Sequence, residues 1–379
     1  MQKVVVVGGG YGGLRFIESL APSKTAQITL LDKNPYHYLQ TEAYEFLSGR
    51  KNVCDITFNL RSFCSYFDNV DFIKDEAVAL KDGMVVGKKG SYPFDTLIIA
   101  AGAVDFFPTP QIARFSPRLK ELAGAFGFKQ NFLKALFKEV AFEKGARIVV
   151  AGAGLSGVEL AADFASVVKE CGTEVGQKSL IEVCLVEAKD KLLPQSSPFL
   201  QMATRQRLEE LGVKIYLNSP IERIEEGRVY IKGFALEYDL FIFAGGILAA
   251  DFVRNLPFEK NSLGQLEVDG HLRVKENIFA IGDCAAIKDD RGRLLPPTAQ
   301  IAEQSAEYVA KFISKGIKSP FRGKIYGTFI ALGDNYAVGE LFGFIRIKGL
   351  AAALIKKLIE KIYTFGIRLK VNSGYKKRL

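Results

Sequence analysis

Apolar positions at the start of the chain form two short runs separated by a helical repeat. The run Lys3–Val7 is followed by a glycine-rich turn, an amphipathic stretch to about Leu20 and the run Gln27–Leu31. Short apolar runs bounded by turn residues are typical of buried strands, and spacings of three and four are typical of helices. The pattern predicts a β-α-β unit.

The same order recurs later, with Gly152 in the place of Gly8. Strand Arg147–Val150, a glycine turn, a helix through about Lys169 and strand Ile181–Val186 form the second unit, with an inserted loop at Cys171–Leu180. A period this long does not fit a solenoid repeat. Two copies predict an α/β fold with two Rossmann-like dinucleotide-binding domains.

Three further apolar runs end in small residues. They are Thr96–Ala100 before Ala101-Gly102, Leu240–Phe243 before Ala244-Gly245-Gly246, and Asn277–Ile281 before Gly282-Asp283. Open α/β sheets bind ligands at the carboxyl ends of their strands, and small residues allow a ligand to approach the backbone. We therefore expect these strand ends to line nucleotide sites.

The last third of the chain changes pattern twice. Pro296-Pro297 precede a helical stretch from Thr298 to about Ser314. The runs Gly327–Leu332 and Tyr336–Ile347 flank a turn and predict a hairpin. From Gly349 onward the pattern predicts a basic amphipathic helix.

Charge is concentrated in that final segment. Residues 346–379 contain ten lysines and arginines and one acid, so they carry the whole net charge of +9. The remaining residues are balanced, which argues against a nucleic-acid-binding core. The chain contains no run of 18 apolar residues, so no transmembrane helix is predicted.

The two glycine turns carry the candidate chemistry. Gly8, Gly10 and Gly13 follow a strand and begin a helix, and Asp32 ends the next strand. This spacing is typical of a turn that binds a pyrophosphate at a helix N-terminus, with an acid for the ribose hydroxyls. The second set is Gly152, Gly154, Gly157 and Glu187. An acid there repels a 2′-phosphate, which favours NADH over NADPH.

A chain with two such sites resembles the two-dinucleotide-domain flavoproteins, in which the first site holds FAD and the second site holds NAD(P)H. Asn277–Cys284 resembles their second FAD motif, which implies that Asp283 binds the ribityl chain. The resemblance implies that FAD contacts Gly8, Gly10, Tyr11, Gly13, Asp32, Lys33, Ala101, Gly102, Gly282, Asp283 and Ala299, and that NADH contacts Gly152, Gly154, Gly157, Glu187 and Gly245. The implied domains are FAD-binding at 1–108 and 265–332, NADH-binding at 109–264, and a hairpin with a membrane-anchoring helix at 333–379.

Within that group the chain is most similar to the single-chain, type II NADH:quinone oxidoreductases. Asp32–Tyr38 resembles their segment after the FAD acid, and Ala299–Gln304 matches their A-Q-x-x-x-Q pattern. The resemblance implies catalytic roles for Glu159, Gln300 and Gln304. The alternative interpretation is that all three are solvated helix residues.

The five cysteines and two histidines narrow the chemistry. The nearest cysteine pair, Cys54 and Cys64, is nine residues apart, which does not suit a disulfide reductase. Cys284 is the only cysteine after Cys184, which makes sulfide oxidation a weaker prediction. His37 and His271 have no metal-ligand neighbours in sequence, so no metal site is expected. An odd cysteine count and no secretory signal favour the cytosol.

The final helix has its own functional signal. Ala351, Leu354, Ile355, Leu358, Ile362, Phe365 and Leu369 recur at helical spacing, with Lys357, Lys361, Thr364 and Arg368 on another face. Such a helix is typical of a membrane interface with anionic lipid. The alternative is a helix packed on the protein's own core.

Together these features predict a peripheral enzyme on the cytoplasmic face of the bacterial inner membrane, and a homodimer is compatible with them. It would use tightly bound FAD to transfer electrons from NADH to a membrane quinone, without pumping protons. Two alternatives stay open: the same scaffold with another donor or acceptor such as sulfide, and a non-catalytic nucleotide sensor.

Overall fold

A computed structural model describes residues 1–378 of the chain. Its strands are β1 (Gln2–Val7), β2 (Ala26–Asp32), β3 (Tyr36–Tyr38), β4 (Thr57–Asn59), β5 (Val70–Lys74), β6 (Ala77–Lys81), β7 (Met84–Gly87), β8 (Ser91–Pro93), β9 (Thr96–Ile99), β10 (Ala103–Asp105), β11 (Ala146–Ala151), β12 (Ile181–Val186), β13 (Lys214–Tyr216), β14 (Ile221–Glu225), β15 (Arg228–Ile231), β16 (Phe234–Glu237), β17 (Leu240–Phe243), β18 (Ile247–Ala249), β19 (Leu266–Glu267), β20 (Arg273–Lys275), β21 (Ile278–Ala280), β22 (Ala285–Ala286), β23 (Gly327–Ala331), β24 (Ala337–Leu341) and β25 (Ile345–Gly349). Its helices are α1 (Tyr11–Leu20), α2 (Ala43–Leu47), α3 (Val53–Ile56), α4 (Leu60–Cys64), α5 (Pro110–Phe115), α6 (Leu122–Phe142), α7 (Leu155–Glu174), α8 (Pro198–Glu210), α9 (Asp251–Arg254), α10 (Ala299–Lys315) and α11 (Leu350–Arg378).

The first sheet has the strand order β20-β21-β9-β1-β2-β5. Strand β1 lies at its centre, parallel to β2 and to β9, and its four valines are buried. Continuous apolar runs of this kind are expected where helices cover both faces of a parallel sheet. Because β20 and β21 join β9 from late in the chain, the first and third predicted segments share one sheet.

The second sheet has the order β13-β12-β11-β17, and all of its neighbours are parallel. Its strands come from residues 146–243, within the predicted NADH-binding segment. Both predicted β-α-β units are therefore confirmed as secondary structure, whereas the predicted limits of the four domains remain a prediction.

Two details of the predicted elements are wrong. The loop expected at Cys171–Leu180 begins later, because α7 continues to Glu174. A Cβ at Gly172 would lie 2.8 Å from the carbonyl oxygen of Gln177, so the glycine allows the following loop to pack back on the helix. The C-terminal hairpin is a three-stranded antiparallel sheet, β23-β24-β25, since the second run breaks at Phe342 and Gly343, both with positive φ.

Helix α11 packs through one face, with its first turns on the C-terminal sheet and its second half on α4. Ala352, Ala353, Ile367 and Gly374 are buried, and a Cβ at Gly374 would lie 1.8 Å from the carbonyl oxygen of Ser62. The members of the predicted apolar stripe that lie outermost are 52–65% exposed, namely Leu354, Leu358, Ile362, Phe365 and Leu369. Packing on the protein's own core therefore does not explain these residues.

The basic residues of α11 have more partners than the sequence indicated. Besides Glu360 within the helix, three acids from elsewhere in the chain form ion pairs with lysines of α11. They are Glu159 with Lys356, Glu18 with Lys370, and Asp68 with Lys377. Within residues 1–378, no helix is both long enough and apolar enough to cross a bilayer.

Candidate active site

One cavity of about 1950 Å³ is lined by both glycine turns and by the small-residue ends of β9, β17 and β21. The carboxyl ends of parallel strands form its floor, as expected for ligand sites in open α/β sheets. Pockets for one small ligand usually measure roughly 300–1,000 Å³. The cavity is therefore large enough for two extended ligands that meet end to end.

The first turn is built by glycines under different constraints. Gly8 has a φ of +110°, and a Cβ there would lie 2.2 Å from the carbonyl oxygen of Ala100. A Cβ at Gly13 would lie 1.9 Å from the carbonyl oxygen of Gly8, so α1 can pack closely on the turn. Within the described residues, nothing lies within 4 Å of a Cβ placed on Gly10, which faces the cavity.

Asp32 is fixed by the turn that it follows. Its carboxylate accepts hydrogen bonds from the backbone N–H groups of Gly9 and Asn34, each at 2.7 Å. Burial raises the pKa of Asp32, and the two backbone donors oppose that shift. The carboxylate lines the cavity beside the open side of Gly10, where a ribose next to a pyrophosphate would lie.

The second site repeats this geometry. Gly152 has a φ of +103°, and a Cβ at Gly157 would lie 1.8 Å from the carbonyl oxygen of Gly152. Glu187 accepts hydrogen bonds from the backbone N–H of Ala153 at 2.6 Å and from that of Lys189 at 2.9 Å. Gly154 faces the cavity as Gly10 does. The two turns are thus structural as well as sequence repeats.

Most of the other predicted cofactor contacts lie on the cavity wall. These are Tyr11, Lys33, Ala101, Gly102, Gly245, Gly282, Asp283 and Ala299. Gly13 and Gly157 are absent from the wall within the described residues, which fits their packing role in the turns. The Tyr11 hydroxyl hydrogen-bonds with that of Thr41 at 2.8 Å, and burial raises the pKa of this tyrosine.

The start of α10 points at the same cavity. Thr298 caps the helix by accepting a hydrogen bond from the N–H of Ile301, and Gln300 lines the cavity. The Gln300 side chain accepts a hydrogen bond from the backbone N–H of Tyr326 at 2.9 Å. The Gln304 amide instead pairs with the backbone N–H and carbonyl of Lys324, and Gln304 is not among the described cavity-lining residues. The sequence pattern did not separate these two glutamines.

Glu159 lies in the cavity wall on α7 and forms an ion pair whose two side chains are each 14% exposed. Its Oε1 lies 3.0 Å from Nζ of Lys356 and accepts the N–H of Ala331 at 3.1 Å. Burial lowers the pKa of Lys356, but the carboxylates of Glu159 and Glu360 outweigh burial and raise it. Burial also raises the pKa of Glu360 to about 7. Glu159 is therefore not a solvated helix residue.

Sequence reasoning missed the part that α11 plays in the site. His37 is 1% exposed, and its Nδ1 donates to the carbonyl oxygen of Gly9 at 3.1 Å. Its Nε2 accepts from the Tyr363 hydroxyl at 3.0 Å. Burial lowers the pKa of His37 to about 4, which keeps the ring neutral. No local motif marks a contact between residues this far apart in the chain.

Lys120 is another cavity residue that the sequence did not indicate. Its Nζ lies 3.6 Å from Oδ2 of Asp283 and donates to Oε1 of Gln40 at 2.8 Å. It therefore ties the third segment of the chain, which carries Asp283, to the first. Two glycine turns, each with its acid and both facing one cavity, define the class of two-dinucleotide-domain oxidoreductases.

Comparisons with known proteins give the family. Residues 2–306 match the model for pyridine nucleotide-disulphide oxidoreductases. The type II NADH:quinone oxidoreductase of Staphylococcus aureus is 30% identical, over 98% of this chain and 98% of its own. The chain belongs to the pyridine nucleotide-disulphide oxidoreductase family and, within it, to the type II NADH:quinone oxidoreductases.

Solved structures agree at the level of the fold. The NDH2 of Plasmodium falciparum, solved with NADH, superimposes with a TM-score of 0.85 at 19% identity, over 99% of this chain and 98% of that one. The sulfide:quinone oxidoreductase of Aquifex aeolicus gives a TM-score of 0.83 at 19% identity, over 98% and 92% of the two chains. At this identity the likeness concerns the fold alone.

Proposed function

We propose that the protein oxidises NADH and reduces a quinone, using FAD held at the first glycine turn. The observation that carries the proposal is the repeated glycine turn. Two turns of the kind that binds a pyrophosphate, each followed by an acid suited to bind a ribose, open into one cavity. Family membership supports the same activity. When bound, FAD supplies the hydride acceptor and the store of two electrons that this reaction needs.

The chain's own residues bind and orient the two nucleotides. The N–H groups at the start of α1 and the open side of Gly10 would hold the pyrophosphate of FAD, with Asp32 on its ribose. Lys120 holds Asp283 in the wall, where the carboxylate would meet the ribityl hydroxyls. Gly154 and Glu187 would hold NADH in the same way. The negative charge of Glu187 disfavours a 2′-phosphate, so we expect NADH over NADPH.

Quinone reduction consumes two protons, and Glu159 would relay one of them from Lys356, whose ammonium group carries the proton of their ion pair. Glu159 lies in the cavity wall, and Lys356 reaches it from α11. Gln300 presents an amide to the same cavity at the start of α10. We infer a catalytic role for Glu159 and a binding role for Gln300. Gln304 would act by holding Lys324 in place and not by contacting a substrate.

The exposed stripe on α11 supports attachment to a membrane surface. Five large apolar side chains there face solvent, and Lys357, Lys361 and Arg368 border them. Phe342 and Phe344, at the β24-β25 turn of the sheet on which α11 packs, are also exposed. Basic residues beside an apolar stripe favour an anionic lipid surface. We place this surface against the cytoplasmic face of the bacterial inner membrane, and a homodimer is compatible with it.

An anaerobic titration tests the enzymatic proposal. NADH added to the yellow holoprotein is expected to bleach the flavin, and a short-chain quinone is expected to restore the colour. Sulfide in place of NADH is the control donor. A flavin that stays oxidised with NADH contradicts the proposal and favours a sensor, whereas bleaching by sulfide alone favours the sulfide chemistry.

Sedimentation with vesicles tests the membrane proposal. The double variant Leu358→Gln/Phe365→Gln is expected to bind phosphatidylglycerol vesicles at least tenfold more weakly, since burial of each large apolar side chain contributes roughly 1.5–3 kcal/mol. Met202→Gln, at another exposed apolar position, is the control and should bind normally. Equal binding of all three proteins would remove α11 from the membrane contact.

A further inference from the structure

Helix α6 carries a second apolar stripe that the fold leaves uncovered. The stripe's large side chains are 42–69% exposed, and they are Phe126, Leu133, Phe137, Val140 and Phe142. The first four are spaced at seven, four and three residues, so they share one face of the helix. Contiguous apolar surface on a soluble protein usually marks a contact site.

The opposite face of α6 attaches the helix to the core of the protein. Phe128, Phe132 and Ala135 are buried in the core. Glu139 is also buried, and it accepts hydrogen bonds from the Ser179 hydroxyl and the Leu180 N–H, each at 2.5 Å. The exposed stripe is therefore not needed to attach α6 to the protein.

The charged side chains beside the stripe of α6 indicate what kind of surface would cover it. Between the ends of α6 the exposed charged side chains are Lys134 and Lys138, because Lys129 and Glu139 are buried; Glu121 precedes the helix, and Glu143 and Lys144 follow it. Lys134 and Lys138 each directly follow a stripe residue, so both lie along the same flank. An apolar stripe with lysines along its edge complements an anionic bilayer, where long lysine side chains reach the headgroups.

A second copy of the chain packed antiparallel fits this surface less well. If two α6 helices packed antiparallel about a two-fold axis, the flank of each that bears lysines would fall on the same rim. Lys134 and Lys138 of both copies would then face one another, and like charges in that arrangement repel.

The position of α6 is compatible with a shared membrane surface. On one side of α2, Nζ of Lys129 lies 4.6 Å from the ring centroid of Phe46. On the other, Nζ of Lys356 on α11 lies 5.1 Å from the ring centroid of Tyr44. Helix α6 thus packs against α2, and Lys356 reaches from α11 to the same five-residue helix.

We propose that the stripe of α6 lies in the interface of an anionic bilayer, as a second contact beside α11. This inference rests on the proposed membrane attachment through α11 and adds a second contact to it. With two contacts the protein would be held in one orientation on the surface, and not only tethered by its C-terminal helix.

Single tryptophan residues test the inference, because the chain contains none. The variants are Phe137→Trp on α6, Phe365→Trp on α11 and Phe234→Trp on β16, where Phe234 is an exposed aromatic control. Each FAD-loaded protein is mixed with phosphatidylglycerol vesicles whose acyl chains are brominated or plain. Flavin content and NADH-dependent bleaching report that each variant is folded, and Val140→Trp replaces Phe137→Trp if the latter is not.

The expected result is a blue shift and at least twofold quenching by brominated lipid for Phe137→Trp and Phe365→Trp, with none for Phe234→Trp. Quenching on α11 without quenching on α6 overturns this inference and leaves the α11 attachment intact. No quenching in either helix overturns both. A blue shift on α6 that grows with protein concentration before vesicles are added assigns the stripe to a second copy and also overturns the inference.

Discussion

The glycines of each turn have different neighbours, which separates packing from ligand binding at single residues. A Cβ at Gly13 or Gly157 would strike backbone less than 2 Å away, whereas a Cβ at Gly10 or Gly154 would point into the cavity. Alanine at Gly10 or Gly154 therefore leaves the protein's own packing intact and occupies ligand space.

Alanine substitutions at Gly10 and Gly154 test which turn binds which nucleotide. Gly10→Ala is expected to yield folded protein with little flavin, because the added methyl group lies where the FAD pyrophosphate approaches. Gly154→Ala, its matched control, should retain its flavin and raise KM for NADH about tenfold or more. Flavin content by absorbance and steady-state kinetics measure the two effects. Loss of flavin from the second variant alone would mean that the nucleotides are assigned the wrong way round.

His37 links stability to pH. Its pKa falls from 6.5 to about 4 on folding, so between these values the unfolded chain binds a proton that the folded protein excludes. Stability is therefore lost as pH falls from about 6.5 to 4, by up to about 3 kcal/mol. His37→Gln should weaken this dependence, whatever it does to stability at neutral pH. Thermal melting followed by flavin fluorescence across this range is the measurement, and an unchanged slope contradicts the assignment.

At the scale of elements, α11 is a helix with one buried and one exposed face. Hydrophobic spacing predicted the helix, and the structure confirms it as one continuous element of 29 residues. The sequence did not separate the buried face from the exposed one, because both contain apolar residues. One glycine of this helix, Gly374, is packed tightly against α4, and another, Gly366, has open space beside it. The pair allows a direct test of how α11 packs on α4.

Gly374→Ala should loosen the C-terminal half of α11, because the new methyl group would clash with the backbone of α4 at Ser62. The expected result is a lower melting temperature and faster proteolysis after residue 370. Gly366→Ala is the matched control: within the described residues its Cβ meets no atom within 4 Å, and the better helix former should stabilise by roughly 1 kcal/mol. Equal effects of the two changes would contradict the packing of α11 on α4.

At the scale of the whole molecule, a charge cluster centred on the buried Asp163 joins segments that are distant in sequence. Arg50 donates to Asp163 at 3.0 Å and to Glu170 at 2.6 Å, both on α7. Ser166 on the same helix accepts the N–H of Asp334 at 3.0 Å. The cluster therefore holds α7, which carries Glu159, against both the first segment and the C-terminal sheet.

Breaking this cluster should destabilise the protein more than breaking a surface pair. Asp163→Asn removes the buried charge that faces Arg50, which keeps Glu170 as a partner, so the expected cost is roughly 1–3 kcal/mol. Glu209→Gln breaks the pair of Arg205 and Glu209, whose side chains are both 56% exposed, and should cost about 0.5 kcal/mol or less. Thermal unfolding of the holoprotein compares them, and similar shifts would show that the cluster does not join the segments.

The sequence by itself determined the two β-α-β units, the glycine turns, their acids and the final helix. These features depend on rules that act within one β-α-β unit: apolar periodicity, the need for glycine at Gly8 and Gly152, and an acid at the end of the next strand. The resemblance of these motifs to those of known flavoproteins led to the correct family and to FAD and NADH as its nucleotides.

Only the tertiary structure decided which of these residues meet. Glu159 and Lys356 are 197 positions apart, and His37 and Tyr363 are 326 apart. It also placed Gln300 in the cavity and turned Gln304 away, and it left the stripes of α6 and α11 uncovered. Such outcomes depend on how whole elements pack, and packing over these separations leaves no periodic or local signal in the chain.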